Sequence, residues 1–182
     1  FPLAIPSANQ SSGISPVTAL DVAEEFKKKI KVIIDGGRSK IGIESTVIDL
    51  SGKLKILRPG AISASEISRV LKKKVKIIKK IKSIKSPGMI KKHYSPNIPM
   101  KLNQKYFTTN HAFIVFGKKY KKSQNTFNLS KKSSLQEAAS NLYKIFRKIK
   151  NLKYNKINVV KIPNKGIGIA INDRLKHAAE IK

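Results

Sequence analysis

A loop rich in hydroxyl groups leads into a predicted helix near the start of the chain. Residues 6–9, Pro-Ser-Ala-Asn, are small or turn-forming, and Ser15 and Pro16 suit the N-cap and the first helical position. Such a junction offers backbone N–H groups and the positive end of a helix dipole to an anion. Taken alone, these residue types fit a capped helix after a polar loop better, so a phosphate site requires support from other segments.

Further residues with chemical potential are spread along the chain. Ser45 lies in an alternating strand pattern, Arg58 directly precedes Pro-Gly, and Tyr94 stands in a proline-rich stretch. Considered singly, Ser45 fits a small polar residue of a sheet, Arg58 fits the surface end of a strand, and Tyr94 fits a ring packed on a domain. Asp35 and Glu44 could bind Mg²⁺ indirectly, but turn chemistry and a surface salt bridge explain them more simply.

No metal site is predicted. The histidines His93, His111 and His177 fall in separate predicted elements without ligand spacing, and the chain has no cysteine. Residues 172–174, Asn-Asp-Arg, are interpreted as a domain contact or a helix start and not as a catalytic motif.

Composition predicts a folded protein of one large or two small domains. The chain has 182 residues, 40% of them hydrophobic, which is enough for a sizeable core. The absence of cysteine excludes a disulfide framework and a cysteine nucleophile. Without a signal-peptide pattern or an apolar run that could cross a bilayer, a cytoplasmic protein is expected.

The net charge of +29 is distributed unevenly. Residues 1–26 contain no Lys or Arg, whereas residues 69–92 are rich in lysine and contain no acid. Proteins that read nucleic-acid sequence rely more on arginine and exposed aromatic residues. The lysines are therefore interpreted mainly as a solvated surface with a weak preference for anionic partners.

The pattern of the first 85 residues predicts alternating helices and strands. A helix over 16–29 should precede a buried strand over 31–35 and a Gly36-Gly37 turn. The remaining predictions are a hairpin of strands 42–50 and 53–58, a helix from the Ser63–Glu66 capping box to about residue 73, and a strand with a basic connector over 74–85.

The second half of the chain has its own α/β pattern. Residues 86–99 are proline-rich and predict an extended linker. Strands are expected over 112–117 and 157–162, a helix after the Ser134–Glu137 capping box, and a last helix over 169–180. This order favours a small α/β layer with parallel strands.

Several motifs together resemble a known family. Residues 2–9 (PLAIPSAN), 15–16 (SP), 35–37 (DGG), 42–47 (GIESTV) and 57–60 (LRPG) are similar to the second half of a threonylcarbamoyl-AMP synthase catalytic domain. Residues 86–89 (SPGM) and 93–96 (HYSP) resemble the linker of its long, two-domain form. Residues 166–168 (GIG) and 170–175 (AINDRL) resemble the end of its accessory domain.

The resemblance implies an α/β fold in three parts. Residues 1–85 would be the C-terminal half of a twisted open-sheet α/β catalytic domain, 86–100 an interdomain linker, and 101–182 a small Rossmann-like accessory domain. The first half of the catalytic domain has no counterpart in this chain, so the chain by itself is expected to have little or no synthase activity. Ile5 and the Ser12-Gly13 loop depart from the family pattern and could alter substrate preference.

The resemblance also implies a nucleotidyltransferase reaction. L-Threonine, bicarbonate and ATP would give threonylcarbamoyl-AMP and pyrophosphate, for the threonylcarbamoyladenosine modification of tRNA. ATP is then a substrate, accompanied by Mg²⁺. The expected partners are a downstream threonylcarbamoyl-transfer complex and, weakly or indirectly, tRNA, with no membrane.

Site residues follow from the matched motifs. Ser7, Ser15, Arg58 and Tyr94 would contact ATP, and Ser45 would face L-threonine. No residue is assigned as catalytic, because the resemblance implies catalysis by positioning and electrostatics. Two other functions stay open: a lysine-rich RNA-binding module centred on residues 69–92, and a carbamoyl-transfer maturation protein with the same catalytic fold.

Overall fold

The computed structural model describes residues 2, 7–78, 93–106, 108 and 110–180. The basic connector beyond residue 78 and the linker segment 86–92, both expected from the sequence, lie outside the described residues. Within the part of the chain that is described, no helix is both long and apolar enough to cross a membrane.

The first sheet is small and contains the predicted hairpin. Its strands, in the order β1-β2-β3, are β1 (Val47–Asp49), β2 (Lys55–Arg58) and β3 (Lys76–Ile77). β1 and β2 are antiparallel with Val47 opposite Arg58, and β3 is parallel to β2. The hairpin is confirmed, although its first strand is shorter than the predicted 42–50.

Helix α2 (Ala64–Leu71) connects β2 to β3 and covers this sheet. Ser63 is its N-cap, and the capping box with Glu66 is complete, as the sequence predicts. Ile56, Ile67 and Val75 form a small hydrophobic core between the helix and the sheet. Arg58 is the last residue of β2, the strand that this core packs against the helix.

The first helix begins later than the sequence predicts. Helix α1 (Ala19–Phe26) continues into a 3₁₀ turn, Lys27–Lys29, and its N-cap is Thr18 instead of Ser15. The Thr18 side chain accepts a hydrogen bond from the Asp21 N–H at 3.2 Å, and the Asp21 carboxylate accepts one from the Thr18 N–H at 3.0 Å. This reciprocal box satisfies two N–H groups, which Ser15 could not do, because the hydroxyl of Ser15 is bonded elsewhere.

The strand predicted over 31–35 is wrong. The segment has no strand pairing, and Val32 and Ile34 are 76% and 90% exposed. A strand needs a neighbour for its backbone hydrogen bonds, and no described strand lies beside this segment. The turn after it forms as expected: the Asp35 carboxylate accepts the Gly37 N–H at 2.8 Å, and Gly37 has φ of 80°.

The second sheet has four parallel strands in the order β4-β7-β5-β6. These are β4 (Met100–Lys101), β5 (Ala112–Val115), β6 (Thr126–Asn128) and β7 (Ile157–Val159). Helices α3 (Leu135–Asn151) and α4 (Gly168–Ala179) complete residues 100–179, here called the C-terminal sheet unit. The prediction of an α/β layer with parallel strands is confirmed. β4 and β6 were not predicted, because two- and three-residue strands carry no periodic signal.

Helix α3 begins at its predicted cap but without the complete box. Ser134 accepts the Glu137 N–H at 3.2 Å, whereas the Glu137 carboxylate accepts the Ser130 hydroxyl at 2.6 Å instead of bonding back to the cap. The apolar face of α3 lies in the large core of the C-terminal sheet unit. Ile14 and Val17, from the segment before α1, are buried in this same core, so it joins the two ends of the chain.

Candidate functional site

The carboxylate of Glu44 is a meeting point of three segments. It accepts hydrogen bonds from the Ser15 hydroxyl, from the Tyr143 hydroxyl at 2.8 Å and from Nε of Arg174 at 2.8 Å. Tyr143 lies on α3 and Arg174 on α4. The Arg174 side chain is 0% exposed and that of Glu44 21%. The surface salt bridge predicted for Glu44 is therefore wrong, because its ion pair is largely buried.

Both members of this ion pair are charged at neutral pH. Burial raises the pKa of Glu44, but the Arg174 guanidinium and the bond from Ser15 outweigh this effect, so its pKa lies below the ordinary value. Burial lowers the pKa of Arg174, while Tyr143 and Glu44 raise it, with a net increase. Arg174 also holds Asp173, with Nη1 2.7 Å from the Asp173 carboxylate.

Tyr94 is enclosed by aromatic and cationic groups and is 1% exposed. The Arg174 guanidinium carbon lies 4.9 Å from the centre of its ring, and the Tyr143 ring stacks on it with centroids 5.9 Å apart. Its φ of 60° is left-handed, a conformation that costs a non-glycine residue about 1–2 kcal/mol. The surrounding contacts must offset this strain.

The segment around Tyr94 is attached to both ends of the chain. The Ser95 N–H donates to the Ser12 carbonyl at 3.1 Å, and the His93 N–H donates to the His177 carbonyl at 3.4 Å. Burial lowers the pKa of His93. The structure thus brings two of the three histidines together, although the described residues contain no group of three or more His, Asp or Glu side chains that could hold a metal ion.

Arg58 and Ser45 face one another across the hairpin. Nε of Arg58 donates to the Ser45 carbonyl at 3.1 Å, and Nη2 donates to the Ser45 hydroxyl at 3.3 Å. Tyr94 lies next to this pair: burial, the largest effect, raises its pKa, while the positive charges of Arg174 and Arg58 lower it in part. The Arg58 guanidinium therefore bonds the Ser45 hydroxyl and lies near the Tyr94 phenol, which comes from a separate segment.

Four of the five predicted site residues are connected in this way. Arg58 bonds Ser45 and lies near Tyr94, and Ser15 is linked to this pair through its bond to Glu44, the residue before Ser45. Ser7 is exposed, and no described contact joins it to the others. The Ser15 hydroxyl donates to the Glu44 carboxylate, so its own proton is not available to a phosphate.

Sequence reasoning missed the central roles of Glu44, Tyr143 and Arg174. A signal for Arg174 was present, because it falls on the buried face of α4, among the apolar positions Ala170, Ile171, Leu175 and Ala178. An arginine on such a face must find a buried anion. For Glu44 no local signal exists, since its partners are 99 and 130 residues away.

Comparison with known proteins gives consistent family matches over nearly the whole chain. Residues 62–180 match the family model described as "Threonylcarbamoyl-AMP synthase, C-terminal domain", and residues 1–60 match the one described as "Telomere recombination". The threonylcarbamoyl-AMP synthase of Pyrococcus abyssi is 33% identical over 98% of this chain and 58% of its own length. That of Bacillus subtilis is 32% identical over 98% of this chain and 57% of its own length.

A solved structure agrees with these relatives. The crystal structure of P. abyssi Sua5 complexed with L-threonine matches with a TM-score of 0.82 and 31% identity, covering 96% of this chain and 56% of the solved chain. The chain thus spans somewhat more than half the length of the relatives that it matches. The chain belongs to the threonylcarbamoyl-AMP synthase family.

Proposed function

We propose that this chain provides part of an L-threonylcarbamoyladenylate synthase, which converts L-threonine, bicarbonate and ATP into threonylcarbamoyl-AMP and pyrophosphate. The observation that carries the proposal is the Arg58–Ser45 pair next to Tyr94, in a chain of this family. The product would serve the threonylcarbamoyladenosine modification of tRNA. Cytoplasmic location, a downstream transfer complex and weak or indirect tRNA contact remain predictions.

Arg58 is the residue best suited to the phosphates of ATP. A guanidinium binds phosphate oxygens through two parallel hydrogen bonds and neutralises the charge that develops on leaving pyrophosphate. The carbonyl and hydroxyl of Ser45 accept hydrogen bonds from Arg58. An L-threonine bound at Ser45 would therefore lie beside the reacting phosphate. Positioning two substrates in this way is a sufficient basis for catalysis without a covalent enzyme intermediate.

Ser7 and Ser15 are proposed to contact ATP from the loop before α1. The helix end itself is a poor phosphate site, because the Asp21 carboxylate already accepts the Val17 and Thr18 N–H groups at 2.8 and 3.0 Å. Backbone N–H groups of the loop therefore remain as donors. Tyr94, at 1% exposure, can touch ATP directly only if residues 93–96 shift; otherwise it acts by supporting Arg58.

Mg²⁺ would enter with the phosphates of ATP. The described residues offer no cluster of carboxylates and histidines to hold it, since Asp35 is bonded within its turn and Glu44 is paired with Arg174. The described side chains therefore do not fit a resident metal ion, and no step of the proposal depends on one.

The finer architecture belongs to the same proposal. We infer that residues 1–85 are part of the catalytic domain, 86–100 the linker, and 101–182 an accessory Rossmann-like domain. The parallel sheet of the C-terminal sheet unit supports the last assignment. The comparisons favour neither an RNA-binding module nor a carbamoyl-transfer maturation protein.

The test is threonine-dependent pyrophosphate release by the complete polypeptide encoded with this sequence. Arg58→Ala should lower kcat/KM for ATP by about 100-fold or more, as the loss of a charge-stabilising donor does. The control is Arg38→Ala, since Arg38 donates to the Ser140 carbonyl and the Asn141 side chain, away from Ser45 and Tyr94. Equal activity of Arg58→Ala and the unsubstituted protein, or release without threonine, would contradict the proposal.

A further inference from the structure

Arg174 differs from the other arginines described above, because it is completely buried and contacts two separate segments of the site. Its side chain is 0% exposed, with Nε 2.8 Å from the Glu44 carboxylate. The face of the same guanidinium covers the Tyr94 ring at 4.9 Å. One rigid planar group from α4 thus fixes the distance between Glu44, which precedes the β1–β2 hairpin, and the segment of residues 93–96.

These two contacts lead directly to the Arg58–Ser45 pair. Glu44 precedes Ser45, whose carbonyl and hydroxyl are the acceptors for Arg58. Tyr94, on the other side, lies near enough to Arg58 for its charge to influence the phenol. A displacement of the Arg174 guanidinium would therefore change the position of Arg58 by two routes, one through Glu44 and Ser45 and the other through Tyr94.

The other contacts of Glu44 and Tyr94 cannot replace Arg174 in either route. Without Arg174, Glu44 would still accept hydrogen bonds from the Ser15 and Tyr143 hydroxyls, but neither of these groups carries a positive charge. Tyr94 keeps the Tyr143 ring, which cannot replace a cation on its face. The left-handed backbone of Tyr94 is strained, so we expect this residue to change conformation when its contact with Arg174 is removed.

We propose that Arg174 is a positioning residue that fixes the Arg58–Ser45 pair from the C-terminal sheet unit. The inference rests on the proposed function, because the pair is the proposed site for ATP and threonine. It assigns a role to the accessory part of the chain: α4 determines the geometry of a nucleotide site that lies on a different sheet. Arg174 does not touch the substrates itself.

The first experiment compares Arg174→Met with Arg38→Met in the complete polypeptide. Arg38 is the control, because its described hydrogen bonds go to the Ser140 carbonyl and the Asn141 side chain of α3. The measured quantities are the ATP dissociation constant by calorimetry and the KM for ATP. We expect Arg174→Met to weaken both by about 10- to 100-fold, the effect of a small misplacement, and Arg38→Met to leave them within about 3-fold.

A second variant separates positioning from general stability. Glu44→Gln/Arg174→Met removes both charges of the buried pair. Asp173 loses its bond to Arg174, but its side chain is 27% exposed and lies 3.8 Å from His177. The thermal midpoint should therefore recover towards that of the unsubstituted protein. ATP binding should stay weak, because Tyr94 still lacks its cation. Recovery of ATP binding together with stability would mean that Arg174 only stabilises the fold, which overturns the inference. If Arg174→Met does not fold, this double variant carries the test alone.

Hydrogen exchange of residues 93–99 gives a readout that needs no ligand. The amide hydrogen of Ser95, which is bonded to the Ser12 carbonyl, should exchange faster in the double variant than in Arg38→Met or the unsubstituted protein. Unchanged exchange would count against the inference.

Arg58→Ala in the same ATP titration distinguishes the two proposals. If Arg58→Ala weakens ATP binding while Arg174→Met binds ATP normally or more tightly, the positioning role alone is wrong. If Arg58→Ala also binds normally, or the unsubstituted protein binds no ATP, the proposed function fails and the inference fails with it.

Discussion

Glu44 illustrates how one carboxylate can hold together parts of the chain that are far apart in sequence. It bonds Tyr143 and Arg174 from two helices of the C-terminal sheet unit, and Ser15 from the segment before α1. A largely buried charge of this kind is tolerated only with its partners in place. Its ionisation should therefore be visible in the stability of the whole protein.

Glu44→Gln should lower the free energy of unfolding at pH 7 by about 3 kcal/mol, because it leaves the buried Arg174 without its full counter-charge. The pKa of Glu44 in the folded protein lies below its ordinary value of 4.5. The contribution of the ionised group is therefore complete above about pH 4.5 and is lost as the pH falls through the folded pKa. Urea unfolding from pH 7 to pH 3 should show the difference between variant and unsubstituted protein shrinking in acid.

Glu24→Gln is the control for this series, since Glu24 is exposed on α1. Its effect should stay within about 0.5 kcal/mol. A Glu44→Gln difference that is the same at every pH would show that Glu44 contributes through packing and not through its charge.

At the scale of elements, the β1–β2 hairpin and α2 form a tightly packed corner that sets the position of Ser45. Pro59-Gly60 ends β2 and lies against the backbone of the other side of the hairpin. A Cβ at Gly60 would lie 2.2 Å from the Thr46 nitrogen and 2.4 Å from the Ser45 carbonyl carbon. Only glycine allows this approach, because any side chain would collide with backbone atoms.

Gly60→Ala should cost about 1–3 kcal/mol of stability through this overlap. Because Ser45 must move, the KM for threonine should also rise. Gly52→Ala is the matched control, since a Cβ there would meet no atom within 4 Å. Thermal unfolding and threonine kinetics check both variants, and equal stability of the two would show that the corner adjusts without strain.

At the scale of the whole molecule, charge repulsion opposes folding. The chain carries 39 Lys and Arg against 10 Asp and Glu, a net charge of +29. Repulsion among so many surface lysines destabilises the compact state and is screened by salt. The largely buried Glu44–Arg174 pair is screened much less, because water and ions have little access to it.

Raising NaCl from about 0.01 M to about 0.15 M shortens the Debye length from about 30 Å to about 8 Å and should raise the midpoint of thermal unfolding. Circular dichroism in low-salt buffer with added NaCl measures the change. An equal concentration of a neutral osmolyte serves as the control for non-ionic effects. A midpoint that falls with salt would mean that surface ion pairs, and not repulsion, dominate the electrostatic energy.

The sequence by itself determined the elements whose signals are local. The Ser63–Glu66 box places α2, apolar alternation places β2, a continuous apolar run places β5, and helical periodicity places α3. The hairpin places Arg58 opposite Val47 and therefore close to Ser45. These features follow from residues within a few positions of each other, which interact whatever the rest of the chain does.

Only the tertiary structure decided which distant groups meet. Glu44 pairs with Arg174 across 130 positions, Tyr94 is buried between Arg174 and Tyr143, and segment 31–35 stays unpaired. No local pattern encodes these outcomes, because a buried charge, a buried ring and a strand each depend on a neighbour supplied by another part of the chain. The sequence could name Ser15, Ser45, Arg58 and Tyr94 as candidates, but the contacts of Glu44 and Arg174 that link them arise from packing.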